Sequence, residues 1–337
     1  MNIEDLPFNF SYLIKELQKR QINIKFIEGT DIVEASYQGH VEWLLPGFNR
    51  LVPANYHWLI HDKYYLKKLL QAKNFSVQEG KVFQKYMERE ALQYIYEVLQ
   101  FPVVVKATNL SKGDYVFVNI KDEEEFTGLW QENIQTSPIP YFLVEKYFSP
   151  PDDYTFFVMK NLKPVVVKRS PPTVIGDGKK MIQELIEEEN NRRLNPRTTC
   201  LGEIFIEDFD GKRALKHQSL DLNSILSKGQ TVQLRYNSNI TYGGFCENVT
   251  EEVHTSYKVL AKSLLELFPG LSYVFVDLFS KDISQPVSEG MYAINEMTTA
   301  LSISMFTMLP KGKNINILQP ILDLLFPETR QHKSLSS

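Results

Sequence analysis

At 337 residues, with 43% hydrophobic and 23% charged side chains, the chain is long enough for two domains and too ordinary in composition for wholesale disorder or a fibrous repeat. A net charge of −4 gives no general attraction to polyanions, so neither nucleic acid nor a membrane surface is an expected partner. The two cysteines, Cys200 and Cys246, are too few for a disulfide framework and lie in no zinc spacing, which points to a reducing, cytoplasmic setting.

In the N-terminal stretch, acids come ahead of any apolar run, unlike a signal peptide, and no segment reaches the roughly 20 apolar residues of a membrane span. Leu6 to Arg20 reads as an amphipathic helix, followed by an extended Ile22 to Glu28. Loops are expected around Gly39 to Asn55, where Pro46, Gly47 and Pro53 fall. Asp62 is placed to cap a helix running through YYLKKLLQAK, and Glu88 to Gln100 has the apolar spacing of another. FPVVVKAT is a continuous apolar strand. Short strands are expected at Tyr115 to Ile120, Tyr141 to Glu145, Tyr154 to Met159 and Pro164 to Lys168, a density that favours antiparallel sheet. A charged helix over Lys180 to Arg193 follows, then strands at Tyr273 to Phe279 and Met291 to Met297. A last helix covers Ile315 to Phe326, and the tail beyond Pro327 reads as frayed.

The strands YVFVDLF and MYAINEM each carry one carboxylate inside an apolar run. Paired antiparallel about a turn near Pro286 and Val287, they bring Asp277 opposite Glu296. Like charges directly opposite destabilise a sheet, and a divalent cation with hard oxygen ligands, such as Mg²⁺, removes the conflict. The alternative is a register shift through a bulge that sends one carboxylate to solvent.

Lys106 ends the buried strand FPVVV ahead of TNLSKG, where a cation beside backbone N–H groups suits a phosphate. Many strands also simply end in a solvated lysine. Neither a GxxxxGK[ST] loop nor a GxGxxG fingerprint occurs, so a nucleotide site here is of another kind. Gly176-Asp177-Gly178 before a helix, and Arg235, Asn239 and Gly243-Gly244 in LRYNSNITYGGF, are each locally sufficient as turns.

Taken together and in order, HDKYYLKKLL, FPVVVKATNLSKG, YFLVEKYFSPPDDYTFFV, KRSPPTVIGDGKK, LRYNSNITYGGF, FVDLFSKD and AINEMTTALS resemble the ATP-grasp carboxylate-amine ligases. The likeness is to the ATP-grasp portions of cyanophycin synthetase and bifunctional glutathione synthetase, from about Leu59 to Pro327. It implies an α+β fold: two lobes with mainly antiparallel sheets clasping ATP, at 61–145 and 146–328, preceded by a short α/β segment at 1–60 and followed by a flexible tail at 329–337.

The resemblance also implies residue roles. Lys63 and Lys106 would bind ATP phosphates, with Ser111 and Gly113 in the covering loop. Glu145, Lys146 and Phe148 would form the hinge that receives adenine, and Asp153 would bind ribose. Asp277, Glu296 and Thr298 would hold one or two Mg²⁺ ions. Arg169 and Arg235 would stabilise the transferred phosphoryl group, and Asn239, Gly243 and Gly244 would border the acceptor pocket. Thr298 stands where the family carries Asn.

The implied activity is ATP-dependent amide formation on an amino acid or short peptide through an acyl phosphate. The alternatives are a catalytically weakened nucleotide-binding or scaffolding module, and phosphoryl transfer without condensation. Relatives commonly self-associate, so a homo-oligomer is one expected state.

Overall fold

The Asp62 carboxylate accepts the backbone N–H groups of Tyr64 and Tyr65, each at 2.9 Å. Donors left over at a helix start are thereby satisfied, and the helix Lys63–Ala72 begins where the capping residue predicts. The computed structural model describes residues 3–110, 113–149, 152–193 and 201–330. Ser111 and the tail 331–337 lie outside the described residues.

In chain order, α1 (Phe8–Lys19) leads into β1 (Asn23–Phe26), β2 (Val33–Tyr37), β3 (His40–Leu44), α2 (Ala54–His61) and α3 (Lys63–Ala72). Then come β4 (Gly80–Gln84), α4 (Glu88–Tyr94), β5 (Val103–Ala107), β6 (Val116–Ile120), α5 (Glu123–Leu129) and β7 (Tyr141–Lys146). They are followed by β8 (Asp152–Met159), β9 (Val165–Ser170), β10 (Thr173–Ile175), α6 (Ile182–Arg193), α7 (Phe209–Lys216), β11 (Thr231–Gln233) and β12 (Phe245–Asn248). Last are α8 (Thr255–Glu266), β13 (Tyr273–Ser280), β14 (Tyr292–Thr298), α9 (Ser304–Thr307) and α10 (Leu318–Leu325).

Among the described residues the sheets run β1-β2-β3, β4-β7-β5-β6, β12-β9-β8-β13-β14 and β10-β11. Their ladders are antiparallel throughout, as the density of short strands predicts. The expected loop at Gly39 to Asn55 holds in part: its first residues, His40–Leu44, form β3, turns and loop follow through Pro46, Gly47 and Pro53, and α2 begins at Ala54. Gln38 and Gly39, with φ of 48° and 89°, make the tight turn that lets β3 fold back on β2.

The apolar faces assemble into separate cores. Trp130, Phe126 and Phe142 pack beneath the four-stranded sheet. A larger core joins the five-stranded sheet to α1, α8, α10 and the N-terminal sheet, and Leu66 and Leu70 of α3 belong to it. The two larger sheets are stitched at one edge, where the Ile294 N–H of β14 donates to the Ser76 carbonyl at 2.8 Å just ahead of β4. No described helix is long and apolar enough to cross a membrane.

Candidate functional site

Between the four-stranded and five-stranded sheets lies a cleft of about 460 Å³. Its walls differ in character. Val104, Val116 and Val118 on β5 and β6 face Phe279 on β13 and Phe148 in the connection from β7, making an apolar slot. Phe148 and Phe279 stack with ring centroids 6.0 Å apart. The rest of the lining is largely charged, with Lys63, Lys106, Glu145, Asp153, Arg169, Asp277 and Glu296.

Each charge is placed by its element. On β13 and β14, Asp277 pairs directly with Glu296, and the ladder slips by one residue immediately afterwards. The expected pair forms, and the bulge, which falls just beyond it, sends neither carboxylate out of the cleft. The bulge inserts Asn295, so consecutive polar residues on β14 both line the cleft where strict alternation would send one away. Lys106 crosses from the opposite sheet to donate to Asn295 Oδ1 at 3.0 Å.

The carboxylates are neutralised from both sides. Arg169 Nη2 donates to both oxygens of Asp153, at 2.7 and 2.9 Å, and to Asp277 Oδ2 at 2.8 Å. The Thr155 hydroxyl donates to Asp277 Oδ1 at 2.7 Å. Burial pushes the Asp277 carboxyl up to about 6, with Asp153 and Glu296 adding to the rise against Arg169 and Thr155. Lys63 Nζ lies 3.4 Å from Glu296 Oε1 and donates to the Leu110 carbonyl. Burial alone would raise the Glu145 carboxyl, but Lys106 and Lys67 outweigh it and hold it below its ordinary value.

No family model matches the chain. It is 27% identical over 340 residues to cyanophycin synthetase of Crocosphaera subtropica, covering 97% of this chain and 38% of that protein. It is 30% identical over 278 residues to the glutathione biosynthesis bifunctional protein GshAB of Enterococcus faecalis, covering 81% of this chain and 36% of the relative. Among solved structures, a bifunctional glutathione synthetase from Pasteurella multocida superposes with a TM-score of 0.64 at 26% identity, over 95% of this chain and 44% of that one. The chain thus spans less than half the length of these relatives. The fold is ATP-grasp.

The ATP-grasp cleft gathers most of the residues singled out from the sequence. Lys63, Lys106, Gly113, Glu145, Lys146, Phe148, Asp153, Arg169, Asn239, Asp277 and Glu296 all line it. Gly113 sits so close to Asn239 that a Cβ there would come within 2.4 Å of its Nδ2. Arg235 is engaged elsewhere: its guanidinium donates to both oxygens of Asp208, at 2.8 and 2.7 Å, and to the Phe205 carbonyl at 2.6 Å. Gly243 and Gly244 are not part of the lining. They allow the backbone to pack against Ile204 and Ser238, where added Cβ atoms would approach to 2.6 and 2.5 Å. Thr298, two residues along β14 from Glu296, accepts the Ala300 N–H at 3.2 Å.

Several lining residues escaped the sequence reading: Asn295, Gln78, Tyr236, Ser238 and Phe279. Asn295 had a signal, since two polar residues in succession within AINEM break the alternation of a regular strand. Among the described residues no group of three or more His, Cys, Asp or Glu side chains gathers as a metal site. Asp277 and Glu296 supply two hard oxygen donors in direct register, a set that suits Mg²⁺ when substrate phosphate oxygens complete the shell.

Proposed function

We propose that this chain binds ATP in the cleft and uses it to join a carboxylate to an amine, acting on an amino acid or short peptide. The observation that carries the reading is convergence: two buried lysines, two facing carboxylates and an apolar slot, from distant parts of the sequence, share one cleft. The slot between the valines and Phe279 suits adenine, with Glu145, Lys146 and Phe148 at the connecting segment. Asp153, on the lining of the same cleft, is the residue we assign to ribose. Lys63 and Lys106 meet the phosphates, Gly113 belongs to the segment that covers them, and Asn239 faces the acceptor side.

In the proposed reaction a substrate carboxylate oxygen attacks the γ-phosphorus and the bond to ADP breaks, giving an acyl phosphate. The amine nitrogen then attacks the carbonyl carbon, the carbon–oxygen bond to phosphate breaks, and the nitrogen loses a proton to solvent. Phosphate is the leaving group, so no nucleophilic serine or cysteine is required. The chain's own contribution is charge and position. Lys63, Lys106 and Arg169 offset negative charge on the transferring group, and closure of the lobes excludes water. Arg235 contributes by anchoring, through Asp208, the segment that leads to Asn239. Asp277 and Glu296 would hold Mg²⁺, which supplies Lewis-acid neutralisation of phosphate oxygens.

The local hydrogen bond of Thr298 favours a second reading, in which the second metal position is weak and the chain binds nucleotide without efficient turnover. Incubation with ATP, Mg²⁺ and a panel of amino acids and dipeptides tests both. The ligase reading expects ADP and phosphate together with a condensed product by mass spectrometry. ATP binding with no ADP formed across the panel, in the unaltered chain and in Thr298→Asn, would overturn it in favour of the binding module.

A further inference from the structure

Lys67 lies one turn beyond Lys63 on α3, and its side chain is absent from the cleft lining. Lys63, Lys67 and Lys106 are each 3% exposed and Glu145 is 2% exposed. The Lys67 ammonium donates to Gln78 Oε1 at 2.7 Å and to Glu145 Oε2. The other Glu145 oxygen, Oε1, lies 2.5 Å from Lys106 Nζ. One buried carboxylate is thus shared between two ammonium groups, only one of which reaches the cleft. A simple Lys106–Glu145 pair would be neutral and would leave little attraction for an incoming anion. With Lys67 included, the group carries a net positive charge, and its cleft-facing member is held between Glu145 and Asn295.

We propose that Lys67 is a positioning residue for phosphate: by occupying half of Glu145, it keeps the Lys106 charge available and fixed on the cleft wall. This rests on the nucleotide reading of the cleft. The groups that face Lys67 are Glu145 on β7, Lys106 on β5 and Glu296 on β14. Burial, opposed by Glu145, lowers its own pKa to about 8, so an intact group should lose charge in mildly alkaline solution.

Calorimetric titration of the full chain with Mg²⁺-ATP and with adenosine tests the proposal. Lys67→Met should weaken ATP binding about tenfold and leave adenosine binding unchanged, because the nucleoside carries no phosphate. Lys67→Arg should restore most of the ATP affinity. ATP binding by Lys67→Met at the unaltered level, or equal loss of ATP and adenosine, would overturn the role while leaving the nucleotide reading intact. No ATP binding by the unaltered chain would overturn both. If Lys67→Met does not fold, Lys67→Gln decides by the same two titrations, since it keeps a hydrogen-bonding group beside Gln78 and Glu145 without the charge. Weaker ATP binding with level adenosine binding supports the role, and unaltered ATP binding overturns it.

Discussion

Arg169→Met should be one of the most destabilising single changes in the cleft, and its cost can be worked from the contacts. One guanidinium nitrogen serves two carboxylates, Asp153 at 2.7 and 2.9 Å and Asp277 at 2.8 Å. The three side chains are 14%, 11% and 14% exposed, too enclosed for water to replace the lost partner fully. Breaking a buried pair by deleting one member costs about 3–5 kcal/mol, and the residual exposure here argues for the lower end. What remains is the hydroxyl of Ser238 on Asp153 and that of Thr155 on Asp277.

The pH dependence follows from the direction of the Asp277 shift. Its carboxyl is already raised to about 6 by burial and the neighbouring acids, so the native state binds this proton more readily than the unfolded chain does. Its contribution to stability falls as pH rises through the interval from the unfolded value to about 6. Without Arg169 the native value rises further, so the deficit should be larger near about pH 8 than near about pH 5. Urea unfolding followed by tryptophan fluorescence measures this for the unaltered chain, Arg169→Met and Arg169→Met/Asp277→Asn, with the double variant recovering a large part of the loss. A single variant within about 0.5 kcal/mol of the unaltered chain, or a deficit that does not shrink in acid, would refute the reasoning.

Other consequences can be checked separately. Gly80→Ala would bring a Cβ to 2.7 Å from Glu145 Cβ and 2.8 Å from the Val144 carbonyl. Thermal unfolding should therefore show a loss of about 1–3 kcal/mol, accompanied by weaker ATP binding as Glu145 shifts. Glu296→Gln should raise the Mg²⁺ concentration needed for half-maximal ATP binding while leaving adenosine binding unchanged, as read by titration at fixed nucleotide. His57 is lowered from its ordinary value by burial and then by His61. Its folded form favours the neutral ring, so that contribution is lost as pH falls below about 6.5. The urea midpoint of the unaltered chain should accordingly drop more between about pH 7.5 and about pH 5.5 than that of His57→Asn.

The parts that local chemistry dictates were legible in the residues. Asp62 announced the start of α3, and the carboxylates of two apolar strands announced their own pairing because a hairpin's turn centre fixes its register. What stayed hidden depends on contacts distant in sequence. Lys67 on an amphipathic helix looks like a solvated lysine until β7 brings Glu145 against it. Asn295 reads as pointing away from the cleft until the bulge turns it inward. Helix α7 was missed because its apolar residues are few. Phe209 packs on Phe117, and Arg213 donates to the carbonyls of Val118 and Asn119, so tertiary contacts hold the helix more than its sequence period does. Arg235 carried a functional expectation from its motif, and only the fold reveals Asp208 as its partner.

A crystal structure of the chain with Mg²⁺ and a non-hydrolysable ATP analogue tests the central claim most directly. The account predicts adenine between Val104 and Phe279, phosphate oxygens hydrogen-bonded to Lys63 and Lys106, and metal density contacting both Asp277 and Glu296. Nucleotide bound elsewhere, or in the cleft with its phosphates turned away from those lysines and carboxylates, would contradict it.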